Sequence, residues 1–204
     1  MRVAWRIVRL VLFAIAFTFL MINWHEIGHT VVARALGDSS AHYVLYKATA
    51  TSSCAGCNLY DSAQLSDSAN IIVNFGGVLF TQILALVAIL LTASAPSRVV
   101  PSWMLWTVIV VTWLGDLIFQ VAQGLATAVP VNLPRGPEMS YTDFTAIMWF
   151  AHDMTGISVA TLRLILIVGA MLYSGCGALA VWWAVKRRRS SARERSQQPA
   201  LAAR

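Results

Sequence analysis

Charge is what this chain has least of. Of its 204 residues only 12% are Asp, Glu, Lys or Arg, about half the roughly 25% carried by soluble domains. That scarcity excludes an ordinary soluble enzyme, whose surface needs charge. It equally excludes a disordered chain, which needs low hydrophobicity and high charge. Cysteine is rare as well, with three residues. A disulfide-framework domain is therefore excluded. Acidic residues number nine against fifteen basic ones, a net charge of +6.

What is abundant is apolar. Hydrophobic residues make up 58% of the chain, and the mean hydropathy is +0.66. The basic residues do not form a stripe on a folded surface. Arg2, Arg6 and Arg9 lie at one end, and Lys186, Arg187, Arg188, Arg189, Arg193, Arg195 and Arg204 at the other. Terminal basic clusters beside apolar runs are membrane anchors rather than a nucleic-acid footprint, so no nucleic-acid partner is expected.

Four apolar stretches, about 10–33, 71–95, 102–129 and 164–185, each approach or exceed the roughly 20 residues a helix needs to cross hydrocarbon. The expected fold is an all-α polytopic membrane protein with about four transmembrane helices. Residues 1–189 form a single domain, followed by a disordered basic cytoplasmic tail, 190–204. With both termini in the cytoplasm, eleven basic residues lie inside and four (Arg34, Lys47, Arg135 and Arg163) outside, as the positive-inside tendency requires. A signal peptide cut after Ala33-Arg34-Ala35 fits less well. The cut would lie nine residues beyond Glu26 instead of just after the apolar run.

Residues 37–70 are rich in Ser, Ala, Asp and Asn, with a short run Tyr43-Val44-Leu45-Tyr46 that suits an edge strand or hairpin. This segment falls outside the cytoplasm. Cys54 and Cys57 form a lone CxxC there, half a zinc ribbon at most, and read as a local disulfide or two thiols. Residues 141–154 read as a short amphipathic or re-entrant helix bearing Phe144, Met148, Trp149 and Phe150.

The chemistry sits in His25-Glu26-Ile27-Gly28-His29. On a helix His25 and His29 stand one turn apart on one face, and both imidazoles reach one metal. Glu26 borders that face, within reach of a water activated by the metal. With four His and three Glu in the chain, His-Glu-x-x-His arises by chance about once in 900 such sequences, for the pattern in question. Ionisable side chains at mid-membrane cost about 2.5–3.5 kcal/mol each and mark functional sites. The bland alternative is a His/Glu cluster that hydrogen-bonds between helices without a metal.

A catalytic zinc takes three protein ligands and leaves a fourth position open. Charge neutrality in a low-dielectric setting calls for one more carboxylate. Asp116 is a candidate by depth and facing: Thr112, Gln120, Gln123 and Thr127 share its helix face. Asp143, just before the aromatic helix, is the other. His152 and Asp153 are weaker, lying nearer the outer surface.

The pentapeptide followed by Thr30-Val31-Val32-Ala33-Arg34 resembles the active helix of site-2-protease-like intramembrane zinc metalloproteases. The resemblance covers the order of parts over most of residues 10–150 and is specific in the pentapeptide. It implies a β-rich insert at 37–69, a glycine turn at Asn74-Phe75-Gly76-Gly77 opening the next helix, and a last segment Asn132-Leu133-Pro134…Thr142-Asp143-Phe144 whose Asp is the third ligand. It thereby favours Asp143, with Asp116 the alternative. It implies Zn2+ as cofactor, Glu26 as general base, and hydrolysis of a peptide bond in a membrane-protein substrate at a bacterial plasma membrane. Asn74 and Asn132 are candidate substrate contacts, or else helix caps. The 42–47 segment would hold an extended substrate by strand addition. The rival class is a non-proteolytic membrane scaffold or metal-binding protein derived from such a protease.

Overall fold

The computed structural model describes residues 2–48, 53–94, 101–126, 128–129 and 142–202. Helix α1 (Arg2–Ala35) is followed by strands β1 (His42–Ala48) and β2 (Ser53–Leu59), a 3-10 turn (Ser62–Gln64) and helix α2 (Asp67–Ser94). Helix α3 (Ser102–Ile109) runs through a π-helical stretch (Val110–Asp116) into α4 (Leu117–Ala126), and α5 (Asp143–Thr155) and α6 (Val159–Ala202) complete the chain. Among the described residues four stretches are long and apolar enough to cross a membrane: Val3–Ala35, Asp67–Ser94, Ser102–Ala126 and Val159–Ser190. The fold is therefore mainly helical with one small two-stranded sheet, as expected. The last part of the third expected span, from residue 127 on, lies largely outside the described residues.

Helices α1 and α2 cross where neither carries a side chain. A Cβ on Gly28 would stand 2.6 Å from the Gly76 carbonyl oxygen and 2.8 Å from the Phe80 ring, and one on Gly76 would stand 2.9 Å from the Val32 side chain. Small residues let helix backbones approach this closely. The pair Gly76-Gly77 thus lies inside α2, about two and a half turns from its start, and does not form the turn expected to open that helix. Tight helix packing outweighs the roughly 1 kcal/mol propensity cost of a helical glycine.

The insert is a hairpin. Strands β1 and β2 are antiparallel, with His42 opposite Leu59, Tyr43 opposite Asn58 and Val44 opposite Cys57. Gly56 adopts a left-handed φ of 73°, where a side chain would also press on Asn23 of α1. Cys57 is disulfide-bonded, and Cys176 is free. Ala33, Ala41, Tyr60, Leu65 and Val73 form the core that seats the insert on α1 and α2. Buried Asp38 accepts hydrogen bonds from the Ser40 N–H and hydroxyl and the Asp61 N–H. Burial alone would raise its carboxyl, but these donors hold it below the usual range.

At the other end α2, α3, the π-helical stretch and α6 share a core of Ala85, Ala88, Ile89, Leu105, Ile109, Trp113 and Ala184. The Trp113 indole occupies the place a Cβ on Gly177 would take, 2.2 Å from the ring. Gly177→Val should therefore destabilise the protein by about 1–3 kcal/mol through overpacking. A lowered unfolding midpoint in detergent checks this; an unchanged one would mean that α6 is not seated on Trp113.

Helix α5 matches the short helix expected over 141–154. It buries Phe144, Met148, Trp149 and Phe150, and ends at Gly156 with φ 70°, a glycine cap. Helix α6 carries helical backbone to Ala202, through most of the segment expected to form the basic tail. Composition reports that a segment cannot bury a core of its own. It does not prevent Ala, Arg, Glu and Gln, good helix formers, from extending a helix whose nucleation cost is already met.

Candidate metal centre

Three helices bring His25, Gly77 and Asp116 to one level of the bundle. His25 lies ten residues before the end of α1, Gly77 ten after the start of α2, and Asp116 ten before the end of α4. At 1.5 Å per residue each stands about 15 Å from the same end of the bundle. Helix α5 adds Asp143 from its first turn.

His25 Nε2 lies 2.8 Å from one Asp143 oxygen, and His29 Nε2 lies 3.3 Å from the other. Among the described residues this trio is the His/Cys/Asp/Glu group whose ligand atoms fall within 4.8 Å of one another. Ligand atoms around a tetrahedral ion bound at about 2.0 Å are about 3.3 Å apart, so the spacing is close to what a metal needs. Both histidines are nearly fully buried.

Gly77 is the clearest sign of fit. A Cβ there would stand 2.4 Å from Nε2 of both His25 and His29. The space that any other residue would fill with carbon is the space between the two ring nitrogens. Two imidazoles and a carboxylate suit zinc and other divalent transition metals.

The far side of each ring is also engaged. His29 Nδ1–H donates to the Val73 carbonyl at 2.7 Å, which fixes the tautomer and leaves Nε2 free to ligate. His25 Nδ1 faces Asp116 Oδ1 at 3.6 Å, too long for a hydrogen bond but close enough to orient the ring. The other Asp116 oxygen accepts the Thr81 hydroxyl. The two aspartates named as rivals for one ligand role therefore stand on opposite edges of the same imidazole. Asp143 is on the side where Nε2 of both histidines converges, and Asp116 is behind His25. Asp116→Asn should weaken metal binding by about 10- to 100-fold without abolishing it. Chelator competition checks this, and unaltered affinity would show that the carboxylate does not steady the ring.

Glu26 lies beside this trio. Its Oε2 accepts the backbone N–H of Asn58 in β2 at 3.1 Å, and the Asn58 side-chain oxygen accepts the Thr30 hydroxyl at 2.9 Å. The strand that meets Glu26 is thus β2. Strand β1, which covers the 42–47 segment expected to hold a substrate, pairs with β2. A cavity of ≈ 850 Å³ opens between α1 and the π-helical stretch and α4, and His25, Glu26, Asp116, Gln120 and Asp143 line it.

Thr112, Asp116 and Gln120 are buried as the helix-face reading required, while Gln123 borders the cavity and Thr127 lies outside the described residues. Asn74 is buried, and its Nδ2 donates to the Tyr60 hydroxyl at 3.1 Å and the Asn70 carbonyl at 2.8 Å. It ties α2 to the insert and is not among the residues that line this cavity. Burial pushes the Tyr60 phenol up to about 12, so it stays neutral as the Asn74 partner. Asn132 lies outside the described residues. His152 is exposed and closes the end of α5 on the Ile157 carbonyl, outside the His25, His29 and Asp143 trio. Sequence reasoning missed Asn58, and it named Gly77 without its place between the two imidazoles. Their importance is tertiary, and no local signal marks it.

No protein-family model matches this sequence, and neither a curated protein nor a solved structure matches it.

Proposed function

We propose that the chain is an integral-membrane zinc metalloprotease of site-2-protease type, which hydrolyses a peptide bond of a membrane-protein substrate. The observation that carries this reading is the convergence of His25 Nε2, His29 Nε2 and the Asp143 carboxylate around Gly77, with Glu26 beside them. Four apolar helices support membrane residence. So does the surface of α6, where Met171 and Leu172 are 70% and 68% exposed, a burden that lipid removes and water does not. Both termini face the cytoplasm in this reading, and the hairpin end lies outside.

His25, His29 and Asp143 would hold the ion. Bound zinc polarises a carbonyl and lowers the pKa of a water toward 7. Glu26 takes the proton of the attacking water and returns it to the departing amine. Its contact with the Asn58 N–H steadies the carboxylate at the wall of the cavity. A helical substrate must unwind first, because its amides are already satisfied. Asp143 and Asp116 hold the two edges of His25.

The test is cleavage of synthetic apolar transmembrane peptides by the protein in proteoliposomes, with and without a zinc chelator. Products that disappear on chelation and return with zinc support the reading. Stoichiometric zinc with no cleavage across such peptides would favour a non-proteolytic metal-binding protein.

A further inference from the structure

We propose that Gln120 is a catalytic residue whose side-chain amide donates a hydrogen bond to the carbonyl oxygen of the scissile bond, in an extended apolar segment occupying the cavity between α1 and α4. The inference rests on the metalloprotease reading and adds a residue to it.

Gln120 is 7% exposed and forms part of the wall of the ≈ 850 Å³ cavity, together with His25, Glu26 and Asp143. Its Nε2 lies 3.4 Å from His25 Nε2, and its Oε1 is buried with no hydrogen-bond partner. Buried amides are normally satisfied. Other polar groups of the same helix face are tied off: Asp116 accepts Thr81, and the Thr112 hydroxyl donates to the Val108 carbonyl. Gln120 is buried beside His25 with its amide oxygen unused, and its N–H has only the long 3.4 Å contact to His25 Nε2.

When His25 Nε2 ligates a metal, it can no longer accept from the Gln120 amide, which leaves that N–H without a partner at the cavity wall beside His25. The rest of the cavity wall is apolar, including Met21, Ile22, Leu114 and Phe119. An extended apolar chain fits that wall, and the scissile carbonyl is the polar group it must bring to Gln120. A neutral donor suits a site that already holds three carboxylates, since it adds no charge to be desolvated.

In the step itself a water oxygen bonds to the carbonyl carbon while Glu26 takes the water proton. The carbonyl π pair moves onto oxygen, where the Gln120 N–H strengthens its hydrogen bond. That pair then re-forms the carbonyl, the C–N bond breaks, and the proton passes from Glu26 to nitrogen. Gln120 neither gains nor loses a proton.

The experiment compares wild type with Gln120→Met, which keeps the shape and removes both polar groups. It uses a transmembrane peptide that wild type cleaves and a phosphinic peptide of the same sequence, a mimic of the tetrahedral oxyanion. Zinc per chain, kcat, KM and phosphinate affinity are measured. The expected result is unchanged zinc and KM, with kcat and phosphinate affinity both down by about 10²–10³-fold, the usual effect of removing one oxyanion donor. Binding of the uncleaved peptide by Glu26→Gln should not change when Gln120→Met is added. Zinc-dependent cleavage by wild type with Gln120→Met unimpaired overturns this inference alone. Loss of zinc in Gln120→Met overturns it too, making the residue a ligand or a structural support. A wild type that binds no zinc and cleaves nothing overturns both readings.

Discussion

Glu26→Gln will lower peptide hydrolysis by about 10²–10⁴-fold, the usual contribution of a general base, while bound zinc stays at the wild-type level. The substitution changes one atom. The amide oxygen still accepts the Asn58 N–H that now meets Oε2 at 3.1 Å, so β2 stays where it is. What disappears is the ability to take a proton from water. The zinc should stay because the three converging donors are His25, His29 and Asp143, without Glu26. Rates from single-turnover cleavage in proteoliposomes, read beside metal content, separate the two quantities. Full activity in Glu26→Gln would remove the residue from the chemistry.

The second large effect is expected at a residue with no side chain. Gly77→Ala places a methyl group 2.4 Å from two ring nitrogens, well inside contact distance. Either helix α2 retreats or both imidazoles swing away. Overpacking of this kind costs about 1–3 kcal/mol. Expressed as lost metal affinity, that is about 5- to 150-fold. Gly169→Ala is the control, since a Cβ there meets nothing within 4 Å. Competition with a zinc chelator gives the affinities. Equal zinc affinity in Gly77→Ala and wild type would mean that the ion does not sit between His25 and His29.

What the sequence made legible follows a physical rule. Features carried by spacing along one element could be read: His25 and His29 one turn apart, the apolar helices, the hairpin after Tyr43, and the helix bearing Phe144 and Trp149. Features that arise only when elements meet could not. The resemblance implied a turn at Gly76 and Gly77, but they lie within α2, where α1 crosses it. Asp116 and Asp143 read as competitors because a sequence has no inside and outside of an imidazole ring. The structure uses both, one on each edge of His25. Asn58 had no signal at all, since its contact with Glu26 is a backbone N–H available to any residue but proline.

The π-helical stretch Val110–Asp116 was likewise invisible. Spacing by fours already gave Asp116 an inward face, and the wider π turn changes its rotation without changing that periodicity enough to notice. Such turns occur often at functional sites, and this one ends on the aspartate behind His25.

The most direct test of the whole account is zinc per chain, measured on detergent-purified wild type, His25→Ala, Asp143→Ala and Asp116→Ala after equal exposure to zinc and dialysis. The account predicts one equivalent in wild type, none in His25→Ala or Asp143→Ala, and a weakened but present ion in Asp116→Ala. A full equivalent retained by Asp143→Ala and lost from Asp116→Ala, or no zinc in wild type at all, would contradict it.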